Sequence, residues 1–169
     1  MTEPLPGLVG SRRSRESLTD EEARNLEVVQ EFLSLAGPGS ADQRAHLMSE
    51  DFRLRRLGMI NLAEMAGLGD AGSKPHAGYD AMSFSDRRNV IEDIVAAADT
   101  VWVIFRMVGT HTGSFWGRSA TWESLDLLEF AAFRLAGEKI AEAWFMNDEL
   151  AICRQLGIPV GLSLPAADE

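Results

Sequence analysis

One cysteine, Cys153, is all the chain has in 169 residues. That excludes an internal disulfide and fits a reducing cytoplasm. Histidines are equally scarce: His46, His76 and His111 lie far apart, with no HExxH and no cysteine pair, so no protein-built metal site is expected. No run approaches the ~20 apolar residues that a membrane-crossing helix needs. Met1 to Ser17 holds no apolar stretch able to act as a signal peptide. Positive charge is short as well, with 16 Lys and Arg against 26 Asp and Glu and a net charge of −10. Such a surface repels phosphate backbones and anionic lipids. A short basic run, Arg12, Arg13 and Arg15, has no interleaved aromatics and reads as a solvated tail. There is no P-loop, no GxGxxG after a strand and no G-x-S-x-G elbow. These absences predict a soluble cytoplasmic protein with no cofactor and no nucleic-acid or membrane partner.

What is present points to one domain. Apolar residues make up 46% of the chain and charged residues 25%, as in ordinary globular proteins, and the length sustains a core without staples. Residues 1–18 read as a flexible tail, 19–160 as the domain and 161–169 as a second tail. Thr19 opens a helix, with Glu22 three residues on completing a capping box. Leu26, Val29, Phe32 and Leu33 give it one apolar stripe, and Gly37-Pro38-Gly39 stops it. A short helix is expected from Ala41 to about Met48, a strand over 51–57, a helical turn at Asn61–Ala66 and loop at Gly67–Gly72. Strands follow at Val90–Val95, Val101–His111, Ala120–Leu135 and Lys139–Asn147, then a helix from Glu149 to Leu156. Helices first and hairpin-connected strands after them argue for α+β, with helices on one face of an antiparallel sheet.

The last eighty residues resemble a known family. Phe84-Ser85-Asp86 precedes a strand that ends near Asp99-Thr100-Val101. Then come Arg106, Gly109-Thr110-His111-Thr112-Gly113, a Gly-Glu-Lys-Ile turn at 137–140, Trp144, Asp148 and Gln155-Leu156-Gly157. This ordered set is similar to the SnoaL-like polyketide cyclases and ester cyclases of the nuclear transport factor 2-like superfamily. The resemblance implies a cone-shaped barrel, in which a curved antiparallel sheet wraps around N-terminal helices and leaves a pocket at the open end. It implies homodimers pairing through the sheet's outer face. It also implies cofactor-free ring closure of a small hydrophobic, polycyclic-type substrate by intramolecular aldol condensation, with an aspartate after the last strand's tryptophan as acid and base. Asp148 matches that aspartate. The chain departs from the pattern in two places. Asp-Phe-Arg-Leu-Arg-Arg-Leu at 51–57 stands where many relatives have a histidine just after the strand, and 58–72 is enlarged where relatives line the pocket.

Residue by residue, alternation sets Trp144, Met146 and Asp148 on one strand face. A carboxylate bordering an apolar pocket becomes a stronger base, and Asp is equally a favoured helix N-cap. His111 could donate to a substrate oxygen or act as a second acid/base, or be a structural histidine at a strand end. Arg106 could stabilise an enolate oxygen, or pair with Glu92, Glu123 or Glu142. Trp102, Trp116, Trp122 and Trp144 are many for this length and suit a flat ligand, although core or interface roles serve each equally. Of these, Trp122 and Trp144 are the proposed ligand contacts. His76, in Lys-Pro-His-Ala-Gly, could lie at the pocket mouth or in solvent. Cys153 falls on the buried side of the last helix. Two other readings use the same scaffold: water addition to an epoxide, with Glu123 or Asp126 as a second carboxylate, and a non-catalytic binding or dimerisation module.

Overall fold

The computed structural model describes residues 18–57, 83–115 and 118–158. The expectations for 61–72, for His76 and for both tails lie outside them, apart from Leu18. Helix α1 spans Asp20–Ser34 and α2 spans Ser40–Arg44, followed by a single 3-10 turn at Ala45–Leu47. Five strands follow: β1 Met48–Leu57, β2 Arg88–Ala97, β3 Thr100–Thr110, β4 Ser124–Ala136 and β5 Lys139–Asn147. Helix α3, Glu149–Gln155, closes the described chain. The strands form one curved, open sheet in the order β1-β5-β4-β3-β2. This is the expected α+β fold, with one refinement: the sheet is mixed, because β1 runs parallel to β5 while every other pair is antiparallel.

The capping box forms as the sequence predicts. The Thr19 hydroxyl accepts from the Glu22 N–H at 3.2 Å, and the Glu22 carboxylate accepts from the Thr19 N–H at 2.9 Å. Glu22 does more than cap. Its other oxygen accepts from the Ala98 N–H at 3.2 Å, and Asn25 donates to the Ala98 carbonyl at 3.0 Å. Ala98 sits in the two-residue β2–β3 turn at φ +52, a conformation that favours glycine. The two bonds from α1 hold it there.

The inner face of the sheet carries the core. Val101, Val103, Phe105, Phe133 and Ile140 are buried against Leu26, Val29, Phe32 and Leu33 of α1. Phe32 meets Phe133 edge-on at 5.5 Å, and Phe133 meets Phe145 at 5.6 Å. Truncating one such ring to alanine costs about 3–5 kcal/mol. A second cluster, with Phe84, Met107, Phe115, Leu125 and Leu127, is covered by Ile152 and Cys153 of α3 and by Leu156 at its C-cap. Gln155 docks that helix: its side-chain oxygen accepts from the Asp126 N–H at 2.8 Å and its amide donates to the Asp126 carbonyl at 3.0 Å.

Candidate active site

Two motif segments that are distant in sequence zip together beside the second cluster. Asp86 accepts from the Thr110 N–H at 2.6 Å and from the Thr110 hydroxyl at 2.8 Å. These bonds, led by the backbone one, hold its carboxyl below the usual range. Ser83 O receives the N–H groups of Thr112 and Gly113. Gly109 permits the approach, since a Cβ there would sit 3.3 Å from both Arg87 Cα and Asp86 Oδ1. The result sets Phe84 against His111, with ring centroids 5.5 Å apart.

His111 is 0% exposed. Its Nδ1 pairs with the Thr121 hydroxyl at 2.9 Å and accepts from the Thr121 N–H at 3.2 Å, which puts the ring proton on Nε2 when the ring is neutral. Nε2 has no hydrogen-bond partner of normal geometry among the described residues. Burial lowers the pKa of His111; the Gly113 backbone opposes that shift and the Arg118 charge adds to it. The neighbouring backbone is a bulge. His111 N–H donates to Glu123 O and Trp122 N–H donates to His111 O, while Trp122 lies at φ +63 and is 71% exposed. A bulky residue in the left-handed region is uncommon and strained.

The other polar centre is the junction of β5 and α3. The last β4–β5 rung pairs Glu129 with Asn147. Glu129 shares the inward alternation of Leu125, Leu127, Ala131 and Phe133 and is 1% exposed. Asp148 follows Asn147 and is exposed, and its Oδ1 accepts from the Ala151 N–H at 2.9 Å. It is therefore the N-cap of α3, one of its two predicted roles. Glu149 comes next and is 9% exposed. It shares the inward stripe of α3 with Ile152 and Cys153, at spacings of three and four. Its Oε1 has no hydrogen-bond partner among the described residues, and burial pushes its pKa up to about 7. Burial, with the nearby Glu149 carboxyl adding to it, raises the Cys153 thiol too.

The remaining expected site residues lie elsewhere. Trp144 and Met146 do share a strand face, but it is the outer one; the inward side chains of β5 here are Phe145 and Asn147. With Trp102 and Phe130 they line an open groove of about 350 Å³. Arg106 also points outward, bonded through Nε to Asp126 at 2.7 Å and 3.5 Å from Glu92. Of its anticipated partners only Glu92 is used. His111 thus packs on Phe84 and Phe115 of the inner cluster, Asp148 stands exposed at the start of α3 rather than bordering an apolar pocket as expected, and Trp144, Met146 and Arg106 belong to the outer surface. Glu129, Asn147 and Glu149 were not anticipated. Their signal is a carboxylate at an inward strand position and another on a buried helical stripe.

No group of three or more His, Cys, Asp or Glu placed to hold a metal ion occurs among the described residues. None of their helices is long and apolar enough to cross a membrane.

Comparison with solved structures places the fold. A proposed SnoaL-like polyketide cyclase from Jannaschia sp. CCS1 superposes with a TM-score of 0.66 at 22% identity, covering 89% of this chain and 99% of that one. AclR, a proposed hydroxylase from Streptomyces galilaeus, gives 0.64 at 18% identity over 84% and 86%. A phenazine biosynthesis-related protein of Pseudomonas aeruginosa gives 0.60 at 18% over 87% and 94%. No curated protein matches the sequence. The family model for SnoaL-like polyketide cyclases matches residues 27–156. That span runs from the apolar stripe of α1 through the Gln155–Asp126 dock, so the chain belongs to the SnoaL-like polyketide cyclase family.

Proposed function

We propose that this protein is a cofactor-independent cyclase that closes a ring in a polyketide-like substrate by intramolecular aldol attack, with Asp148 as general base. The observation that carries this reading is the β5–α3 junction. In three consecutive residues it presents an amide, Asn147, a solvent-facing carboxylate, Asp148, and a buried carboxyl, Glu149. Neighbouring carboxyl groups in opposite environments are the arrangement that divides acid from base. In the proposed reaction, Asp148 removes a proton from a carbon flanked by two carbonyls. The enolate carbon attacks a second carbonyl, forming the new C–C bond, and the resulting alkoxide takes a proton from the site. The helix cap leaves room for this: Asp148 Oδ1 accepts from the Ala151 N–H, and Oδ2 is left for the substrate.

His111, whose Nε2 meets no hydrogen-bond partner of normal geometry among the described residues, is the proposed hydrogen-bond donor to a substrate oxygen, and Trp122 the proposed flat contact at the rim. The outer groove between Trp102 and Met146 is the proposed seat of a second copy of this chain. The reading is tested by incubating wild type and Asp148→Asn with a panel of β-ketoester polyketide mimics and epoxides. Asparagine still caps a helix, so the variant keeps its fold. Ring closure by wild type and its loss in the variant are expected; equal rates would overturn the assignment.

A further inference from the structure

We propose that Glu149 is the proton donor of this same site, passing its carboxyl proton to the alkoxide formed on ring closure and recovering one from Asp148. The inference rests on the reading of Asp148 as the base. It starts from placement. Glu149 is the first residue of α3, one peptide beyond Asp148, and its side chain points down the stripe that Ile152 and Cys153 bury. It is 9% exposed, and Oε1 meets no hydrogen-bond partner among the described residues. A structural carboxylate in such a place is ordinarily paired with a cation or satisfied by backbone N–H groups. Among the described residues Glu149 forms no ion pair and its Oε1 meets no polar partner.

Among the described residues, the titratable groups around it supply no counter-charge. On its own helix stands Cys153, one turn on, and at the cap is Asp148. From β4 comes Glu129, on the rung next to the junction, and His111, just beyond β3, packs on Phe84 and Phe115 of the same apolar cluster. Asn147 of β5 is uncharged. The environment therefore favours the uncharged carboxyl, consistent with the upward shift that burial produces. A carboxyl that keeps its proton near neutrality is a competent general acid there.

The cycle balances. Asp148 takes the carbon-bound proton and becomes a carboxyl. The alkoxide takes the Glu149 proton and becomes a hydroxyl. Proton transfer from Asp148 to Glu149 then restores both groups, with no net proton gained or lost and no oxidant needed.

The test uses the full chain and two readouts. The first is the pH profile of kcat/KM, from pH 5 to 9, for any β-ketoester of the panel that wild type closes. Wild type is expected to lose activity above about pH 7. Glu149→Gln is expected to be about 100-fold slower at pH 6 and to lack that alkaline fall. Asp148→Asn should be slow while keeping it. A Glu149→Gln enzyme with the wild-type rate and the wild-type alkaline limb overturns the inference. Wild-type activity in Asp148→Asn, with the limb lost in Glu149→Gln, overturns the base and leaves the donor standing. The second readout needs no substrate: carbon-detected NMR titration of the side-chain carboxyls, assigned by comparison with Glu149→Gln. A Glu149 carboxyl that titrates near neutrality supports the inference, and one that titrates in the ordinary glutamate range overturns it.

Discussion

Replacing Glu149 with glutamine should change how stability depends on pH, in a direction and size that the burial fixes. Glutamine keeps the shape and never ionises. The wild-type carboxyl rises from an ordinary 4.5 to about 7 in the folded protein because it is buried. The unfolded chain releases that proton near 4.5, the folded chain only near 7. Between those values the folded state binds the extra proton, so wild-type stability falls as pH rises. The favourable contribution is complete below pH 4.5 and is lost as pH climbs through 7. The gap of about 2.5 pH units corresponds to about 3 kcal/mol at 1.36 kcal/mol per unit. For a domain of this size that is roughly 6–12 °C in Tm. Glu149→Gln should therefore match wild type to within about 1 kcal/mol at pH 5 and exceed it by about 3 kcal/mol at pH 8.5. Urea titrations at half-unit pH steps read this directly, because other titrating groups cancel between the two proteins. A stability difference that stays flat from pH 5 to 8.5 would refute the claim that Glu149 is buried without a counter-charge.

Trp122→Gly should raise Tm by about 2–4 °C, relieving about 1 kcal/mol of left-handed strain at φ +63, while weakening binding of aromatic β-ketoesters; calorimetry and KM report the two effects. Asp86→Asn should lower stability at pH 7 by about 1 kcal/mol, a value reduced for the exposure of this carboxylate. Its folded pKa is depressed, so that contribution exists above the ordinary 3.8 and disappears as pH falls through the folded value; chemical denaturation at pH 7 and pH 2.5 checks both ends. On the proposal that the outer groove seats a second copy of the chain, wild type should be a dimer in light scattering and Trp102→Glu with Met146→Lys a monomer, since both side chains stand on the outer face; a monomeric wild type would overturn that proposal.

Much of the fold was legible because local chemistry and tertiary role agree. The Thr19–Glu22 box, the Leu26–Leu33 stripe and the Gly137 turn each follow from residues near in sequence. The motif pieces were legible as a series but not as contacts: Asp86 on Thr110, and Gln155 on Asp126, join segments more than twenty residues apart. The parallel β1–β5 pair could not be read, since alternation along a strand carries no direction. Site reading failed where alternation leaves the face undetermined. Trp144 and Met146 share a side, yet nothing in β5 alone says that Phe145 takes the inside. Arg106 is drawn outward by Asp126, its cross-strand neighbour's companion on β4, a pairing visible only once β3 and β4 are in register. Glu149 is masked in the sequence by its neighbour Asp148, which carries the motif, although its spacing to Ile152 and Cys153 marks the buried side.

The acid–base claim is tested most directly by carbon-bound hydrogen exchange. A β-ketoester incubated in D2O with wild type should take up deuterium at the carbon between its carbonyls faster than buffer alone allows. Asp148→Asn should reduce the enzyme's part of that rate by about 100-fold or more. Exchange at the wild-type rate in the variant would contradict the account.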